Sequence, residues 1–322
     1  MAGTGTHDKR AGGIKAIMAA MLANSGIAIL KLLAWLLTGA ASMLAEAIHS
    51  AADAINQVLL LAGDKSARKQ ADHKHQFGYG RARFITAFLV ALLLFSMGGV
   101  FALYEAIHKY QEVVAGHGNE LLESRWRWVP IVVLVGAIIL EFFSLRTALK
   151  ESKPHRTTMS LWRFIRTAKE PEFIVILLED IAAMAGLCLA LLGIGTALIT
   201  HNPLFDVIGS ACIGVLLIVI AIILAIETKS LLLGESADKP ILDKISTYLE
   251  SIPEFAQVVT LQTLYVAPEE VLVACKVAVN PQAEAADLVR AIAQAEAGIQ
   301  QILPTANPIY IEIDTNQHDD KE

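Results

Sequence analysis

The sequence predicts an α-helical membrane protein with six transmembrane helices, followed by a C-terminal αββαβ domain of the ferredoxin or metallochaperone type. Of its 322 residues, 55% are hydrophobic and only 18% are charged, and the mean hydropathy is +0.52. These values are typical of an integral membrane protein. Six stretches reach the roughly 20 apolar residues that a bilayer crossing needs. After about residue 237 the composition changes to that of a soluble domain.

The predicted spans cover about residues 14–38, 42–62, 84–107, 128–143, 173–199 and 204–226. Lysine and arginine cluster before the first span, between the second and third, and between the fourth and fifth. By the positive-inside rule, both termini should face the cytoplasm. We therefore expect a tail over residues 1–12, a membrane domain over 13–230, a cytoplasmic α+β domain over 231–316 and a second tail over 317–322.

The C-terminal part alternates between helical and strand-like patterns. An amphipathic segment starts near Pro240, and two strand-like runs are then joined by an APEE turn. A helix over about residues 283–301 and a last strand, NPIYIEIDT, follow. The order αββαβ predicts a small open-faced α+β sandwich. Three widely spaced cysteines predict no disulfide framework.

The most informative stretch is SMLAEAIHSAADAINQ, residues 42–57. His49 and Asp53 are four residues apart, so they share one helix face, which Asn56 continues. Ionisable groups inside a membrane are costly and usually functional. An imidazole and a carboxylate, completed by carboxylates from another helix, would suit a divalent transition metal. The alternative is a core histidine paired with Asp53.

The fifth span carries a second acidic centre, Glu179 and Asp180. Adjacent helical residues point about 100° apart, so one division places Asp180 on the metal and Glu179 on a neighbouring polar contact or a proton path. In the alternative, one of them forms a salt bridge with Lys31. Lys31 and Asn24 share a face of the first helix, where they could line the same cavity, or Lys31 could snorkel to the interface.

Other polar groups carry weaker signals. The loop DHKHQFGYGR contains Asp72, His73 and His75, which could share a metal or simply belong to a solvated basic loop. We expect structural or interfacial roles near helix ends for a further set of acidic residues, Glu105, Glu141 and Asp206. The net charge of −6 indicates no nucleic-acid partner. No HExxH motif is present to indicate a metal-dependent hydrolase.

Taken together, these motifs resemble one family, the cation diffusion facilitators. The resemblance runs from about Gly13 to Asp314 and is carried by four segments: AEAIHSAADAINQ, DHKHQFGYGRARF, ETKSLLLGES and LYVAPEEVLVACKVAV. It implies a homodimer in a lipid bilayer that exports a divalent metal ion, most often Zn²⁺, in exchange for protons, with no prosthetic group. It also implies that the C-terminal domain serves dimerisation.

The resemblance also implies a ligand set. The family's HxxxD pair on the second helix matches His49 and Asp53, and the acidic position of its second pair matches Asp180. That second pair is usually HxxxD, but Ile176 stands where histidine is common. The fourth ligand is therefore open between Glu179, Asn56, Asn24 and water, and Mn²⁺ or Fe²⁺ could replace Zn²⁺. The loop residues Asp72 and His75 match an auxiliary zinc site of some members.

Two broader expectations complete the reading. The protein should lie in a bacterial inner (plasma) membrane. A non-transporting membrane-anchored metal sensor or scaffold is the competing function. Metal flux into vesicles would distinguish the two.

Overall fold

The computed structural model of the chain describes residues 24–117, 120–156 and 160–314. Its helices are α1 (Asn24–Thr38), α2 (Ala41–Ala67), α3 (Ala82–Val114), α4 (Glu120–Glu123), α5 (Val129–Arg156), α6 (Leu161–Thr167), α7 (Pro171–Thr200), α8 (Leu204–Leu233), α9 (Lys239–Glu250) and α10 (Ala285–Ile302). Its strands are β1 (Phe255–Ala267), β2 (Glu270–Val279) and β3 (Ala306–Asp314). Both predicted tails, and the start of the first predicted span, lie outside the described residues.

Four of the helices in the described ranges are long and apolar enough to cross a membrane. They are α3, α7, α8 and the Val129–Lys150 part of α5. The other two predicted spans correspond to α1, of which the described part is shorter, and α2. The 27-residue α2 is long enough, but it carries charged groups along its length. Four spans are thus confirmed by length and composition.

The helix that corresponds to the fourth predicted span is longer than the apolar pattern predicts. The pattern ends near residue 143, but α5 continues to Arg156. No glycine or proline follows Phe143 until Pro154, so nothing in the sequence stops the helix earlier. As a result Glu141 lies in the middle of α5 rather than near its end. The expectation that Glu141 lies near a helix end was therefore wrong.

Asp206, at the start of α8, caps the N-terminus of α2. The backbone N–H of Ala41 donates to Oδ2 at 2.7 Å, and the N–H of Ser42 donates to Oδ1 at 3.3 Å. The Ser42 hydroxyl also donates to this carboxylate. A carboxylate is favourable here because the first N–H groups of a helix have no intrahelical partner. The contact fixes the start of α2, the helix that carries His49 and Asp53, beside α8.

The C-terminal part forms the predicted αββαβ unit. Its sheet has the order β1-β2-β3, with β1 and β2 antiparallel and β2 and β3 parallel. The β1–β2 connection is the tight turn that the sequence indicated at Pro268 and Glu269. Alternate residues of β2, including Val271, Val273 and Val277, are buried in a core shared with Ile299 of α10. This period of two is the pattern of a strand with one covered face.

The chain divides into two compact units. Among the described residues, one comprises the helical part up to residue 64 and from residue 85 to 228, and the other comprises residues 65–84 together with residues 229–314. The connection between α2 and α3 thus belongs with the αββαβ domain. Phe84 is fully buried in the core of that unit. Gly80 lies so close to Ala267 that a Cβ at position 80 would overlap the Ala267 methyl group and lie 3.0 Å from the Val266 carbonyl oxygen.

Candidate metal centre in the helical unit

His49 and Asp53 form the pair that their spacing on α2 predicted. The Nδ1 atom of His49 lies 3.5 Å from Oδ1 of Asp53, and the His49 side chain is only 1% exposed. Neither ring nitrogen of His49 has a hydrogen-bond partner in the described part of the chain, and the same holds for Oδ1 of Asp53. Buried polar atoms are rarely left unsatisfied in this way. These atoms are therefore available to a ligand.

Lys31 of α1 pairs with Glu46 of α2. Its Nζ donates to Glu46 Oε2 at 2.8 Å and to the Ser50 hydroxyl at 2.8 Å. Lys31 is 3% exposed, so it does not snorkel. The alternative of a salt bridge from Lys31 to Glu179 or Asp180 is also wrong, because Glu46 is its carboxylate partner. The charge of Lys31 is thus compensated inside the bundle.

Glu179 and Asp180 point to different neighbours, as adjacent residues on α7 must. Glu179 accepts a hydrogen bond from the Asn56 side-chain amide at 2.5 Å and is buried. Asp180 accepts one from the Ser144 hydroxyl of α5 at 3.2 Å. Asn56 therefore joins α2 to α7, and Ser144 joins α5 to α7. Asn24, at the start of the described part of α1, is half-buried.

These polar groups occur as pairs rather than as one closed cluster. Within residues 24–117, 120–156 and 160–314, no three His, Cys, Asp or Glu side chains are close enough to hold an ion as they stand. Asp180 nevertheless interacts electrostatically with Asp53, and Glu179 does so too. Asp53 of α2 and the acidic pair of α7 thus belong to one polar region of the helical unit, but their side chains do not converge on one point.

Ile176 lies four residues before Asp180, so the two share one face of α7. Its side chain is 44% exposed and carries no donor atom, whereas Glu179 is buried. Of the expected second HxxxD pair, α7 therefore offers only Asp180. Sequence reasoning missed Ser50, Ser144 and the interior position of Glu141. Only Glu141 had a signal, since an acidic residue within an apolar run is costly.

The α2–α3 loop organises its polar residues around Asp72. The Tyr79 hydroxyl donates to Asp72 Oδ2 at 2.6 Å, and the N–H groups of Lys74 and His75 donate to Oδ1. The hydrogen bond from Tyr79, followed by that from His75, lowers the pKa of the Asp72 carboxyl group. The His75 ring lies 4.3 Å from the Tyr79 ring. Asp72 and His75 are thus brought together, with Nδ1 and Oδ1 3.5 Å apart.

The apolar helices and the polar groups between them define a class of protein: a multi-pass integral membrane protein with ionisable groups inside its helical unit. The family model described as the cation efflux transmembrane domain matches residues 17–233. The chain therefore belongs to the cation efflux family, the cation diffusion facilitators that the sequence motifs indicated. This is a family of transporters and not of enzymes.

Individual relatives agree with this assignment. The mitochondrial proton-coupled zinc antiporter SLC30A9 of Homo sapiens is 31% identical over 241 residues, which is 74% of this chain and 41% of that protein. Metal tolerance protein C4 of Arabidopsis thaliana is 28% identical over 239 residues, 74% of this chain and 50% of that protein. The magnetosome protein MamB of Magnetospira is 25% identical over 223 residues, 69% of this chain and 68% of that protein. The chain thus spans about two fifths of the human relative's length.

Proposed function

We propose that the protein exports a divalent transition metal, with Zn²⁺ as the first candidate, in exchange for protons. The observation that carries the proposal is the buried His49–Asp53 pair, whose ring nitrogens and carboxylate oxygen have no hydrogen-bond partner among the described residues. Imidazole nitrogen and carboxylate oxygen are ligands that Zn²⁺ accepts. The names of two relatives, a zinc antiporter and a metal tolerance protein, agree with metal transport.

In this proposal His49, Asp53 and Asp180 bind the ion, while Glu179 and Asn56 hold α2 and α7 in register. Metal ligands must be deprotonated, so binding of the ion displaces protons. His49 and the acidic side chains are the groups of the proposed site that can release these protons. Because no three candidate ligands converge in the described residues, helix movement between inward-open and outward-open states has to bring them together.

Three further points belong to the same proposal. The protein acts as a homodimer through its C-terminal unit. It lies in a bacterial inner membrane with both termini in the cytoplasm. The loop residues Asp72, His73 and His75 form at most an auxiliary metal site, because the Asp72 carboxylate is already held by the Tyr79 hydroxyl and two backbone N–H groups.

The test is uptake of Zn²⁺, Mn²⁺ and Fe²⁺ into proteoliposomes under an imposed pH gradient. The wild-type protein should transport at least one ion at a rate that rises with the gradient. Asp53→Ala should abolish this flux, because it removes a buried ligand, and His49→Ala should weaken the flux and its dependence on pH. Cys188→Ala, a small change on the exposed surface of α7, is the control and should transport normally.

Either of two results would contradict the proposal. Normal rates in Asp53→Ala would remove Asp53 from the site. Absence of flux for every ion in the wild-type protein would favour the sensor or scaffold.

A further inference from the structure

We propose that Glu141 of α5 is a direct ligand of the transported cation, alongside His49, Asp53 and Asp180. The inference rests on the proposed function and deepens it, because it supplies the donor that the second HxxxD pair would have given. Ile176 carries no donor atom, and Glu179 already accepts a hydrogen bond from Asn56. Among the acidic residues of the neighbouring helices, Glu141 of α5 is the candidate for a further donor.

The contact between Ser144 and Asp180 fixes α5 against α7. The Ser144 hydroxyl lies 3.2 Å from Asp180 Oδ2. Glu141 is three residues before Ser144 in the same helix, so both side chains lie on the face that points toward α7. One turn of α5, about 5 Å, separates them. A glutamate side chain can bridge such a distance toward the same carboxylate.

Two other contacts fix the height of α7 against α2. At one end Glu179 contacts Asn56. At the other end Gly186 faces Glu46, since a Cβ at position 186 would lie 2.5 Å from Glu46 Oε1. Asp180 lies within this interval on α7, just as His49 and Asp53 lie between Glu46 and Asn56 on α2. Asp180 is thus close in depth to Asp53, and His49 lies about one turn of α2 further toward Glu46.

Glu141 shares that depth. Its carboxyl group interacts electrostatically with Asp180 and Asp53, and also with Lys31 and Glu46. These four groups belong to α1, α2 and α7. Glu141 is half-buried, although α5 is otherwise the least buried of the four apolar spans. Because no three candidate ligands converge in the described residues, the helix movement of the proposed function has to bring Glu141 onto the ion.

The His49 ring gives independent evidence for a ligand. Its side chain is only 1% exposed, and neither ring nitrogen has a hydrogen-bond partner in the described part of the chain. A buried polar ring of this kind needs a bound group to offset the cost of its burial. With Glu141 the donor set is one imidazole and three carboxylates. Oxygen-rich sets are better suited to Mn²⁺ than nitrogen-rich ones, so Glu141 should reduce the preference for Zn²⁺ over Mn²⁺.

The test is metal binding to the full-length protein purified in detergent, read by the visible absorption of bound Co²⁺ and by competition with Zn²⁺ and Mn²⁺. Glu141→Gln should change the Co²⁺ spectrum and weaken binding at least about tenfold, because even loss of a group that only orients a ligand costs about 10–100-fold. Glu141→His should keep a ligand and shift the Zn²⁺/Mn²⁺ affinity ratio toward Zn²⁺. Glu105→Gln removes a carboxylate from α3 instead and should leave the spectrum unchanged.

Several outcomes would overturn the inference. A wild-type spectrum and affinity in Glu141→Gln would exclude ligation, and so would weaker binding of all ions with an unchanged spectrum, which indicates a long-range charge effect. If Glu141→Gln aggregates, an unchanged Zn²⁺/Mn²⁺ ratio in Glu141→His would be decisive against it. Asp53→Ala distinguishes failure of this inference from failure of the proposed function. If Asp53→Ala loses metal binding, the proposed function stands even when Glu141 is not a ligand. If Asp53→Ala binds metal like the wild-type protein, both proposals are wrong.

Discussion

The Lys31–Glu46 pair is the clearest case of a buried charge that the fold has compensated. Lys31 is 3% exposed and Glu46 is fully buried. Charges at such positions are tolerated only with a partner, and removal of one partner leaves the other charge uncompensated. The pair therefore constrains α1 against α2 next to the proposed ion site, independently of any bound ion.

Lys31→Met should lower the free energy of unfolding by about 3–5 kcal/mol, because Glu46 then remains buried without its counter-ion. The double variant Lys31→Met with Glu46→Gln should lose less, since neither charge is left. Thermal unfolding of the detergent-purified variants measures both effects. If the double variant loses as much free energy of unfolding as Lys31→Met and Glu46→Gln lose separately when added together, the two charges do not stabilise each other.

At this scale the sequence predicted the residues better than their partners. The His49–Asp53 pair followed from a spacing of four on one helix, which helix geometry determines. The partners of Lys31, Glu179 and Asp180 come from other helices, and pairing between helices depends on rotation and depth, which a hydropathy pattern does not encode. Glu141 was misplaced for a related reason, because the end of an apolar run was taken as the end of its helix.

At the scale of the elements, glycines set the distance between helices. A Cβ at Gly99 of α3 would overlap the Ile218 side chain and lie 3.0 Å from the Ile218 backbone nitrogen and 3.2 Å from the Gly214 carbonyl oxygen of α8. Gly99 also lies in the π-helical stretch Leu94–Val100 of α3. Close backbone contact of this kind is how helices associate in membranes, where no hydrophobic force drives them together.

Gly99→Ala should therefore destabilise the helical unit by about 1–3 kcal/mol, the usual cost of overpacking, because backbone atoms of α8 cannot move aside as a side chain can. Gly136→Ala is the matched control. It lies in α5 with no atom within 4 Å of the added methyl group, so it should be neutral or slightly stabilising. The midpoint of thermal unfolding in one detergent compares the two. Equal midpoints would mean that α3 and α8 are not held by this contact.

The extent of the elements was predictable where one physical signal dominates. Long apolar runs located α3, α7 and α8, and two strand-like runs joined by the APEE turn located β1 and β2. The parallel pairing of β3 with β2 follows from the order αββαβ. The α2–α3 connection was harder to assign, because its attachment to the soluble unit depends on Phe84 and Gly80, two residues that look like part of the membrane helix and its turn.

At the scale of the whole molecule, the chain alternates between its two units. It leaves the helical unit after residue 64, contributes Lys65–Phe84 to the C-terminal unit, and returns along α3. The helix that carries His49 and Asp53 is thus continuous with a loop that belongs to the αββαβ domain.

Phe84 offers a way to test whether this loop is an integral part of the domain. Its side chain is fully buried in the same core as Val271, Val273 and Ile299, so Phe84→Ala should cost about 3–5 kcal/mol. Phe77 in the same loop is 53% exposed, which makes Phe77→Ala the matched control. Hydrogen exchange of the full-length protein should become faster in β1 and β2 of Phe84→Ala but not of Phe77→Ala. Unchanged protection in both variants would mean that the domain folds without the loop, and that only β3 and the two helices complete its core.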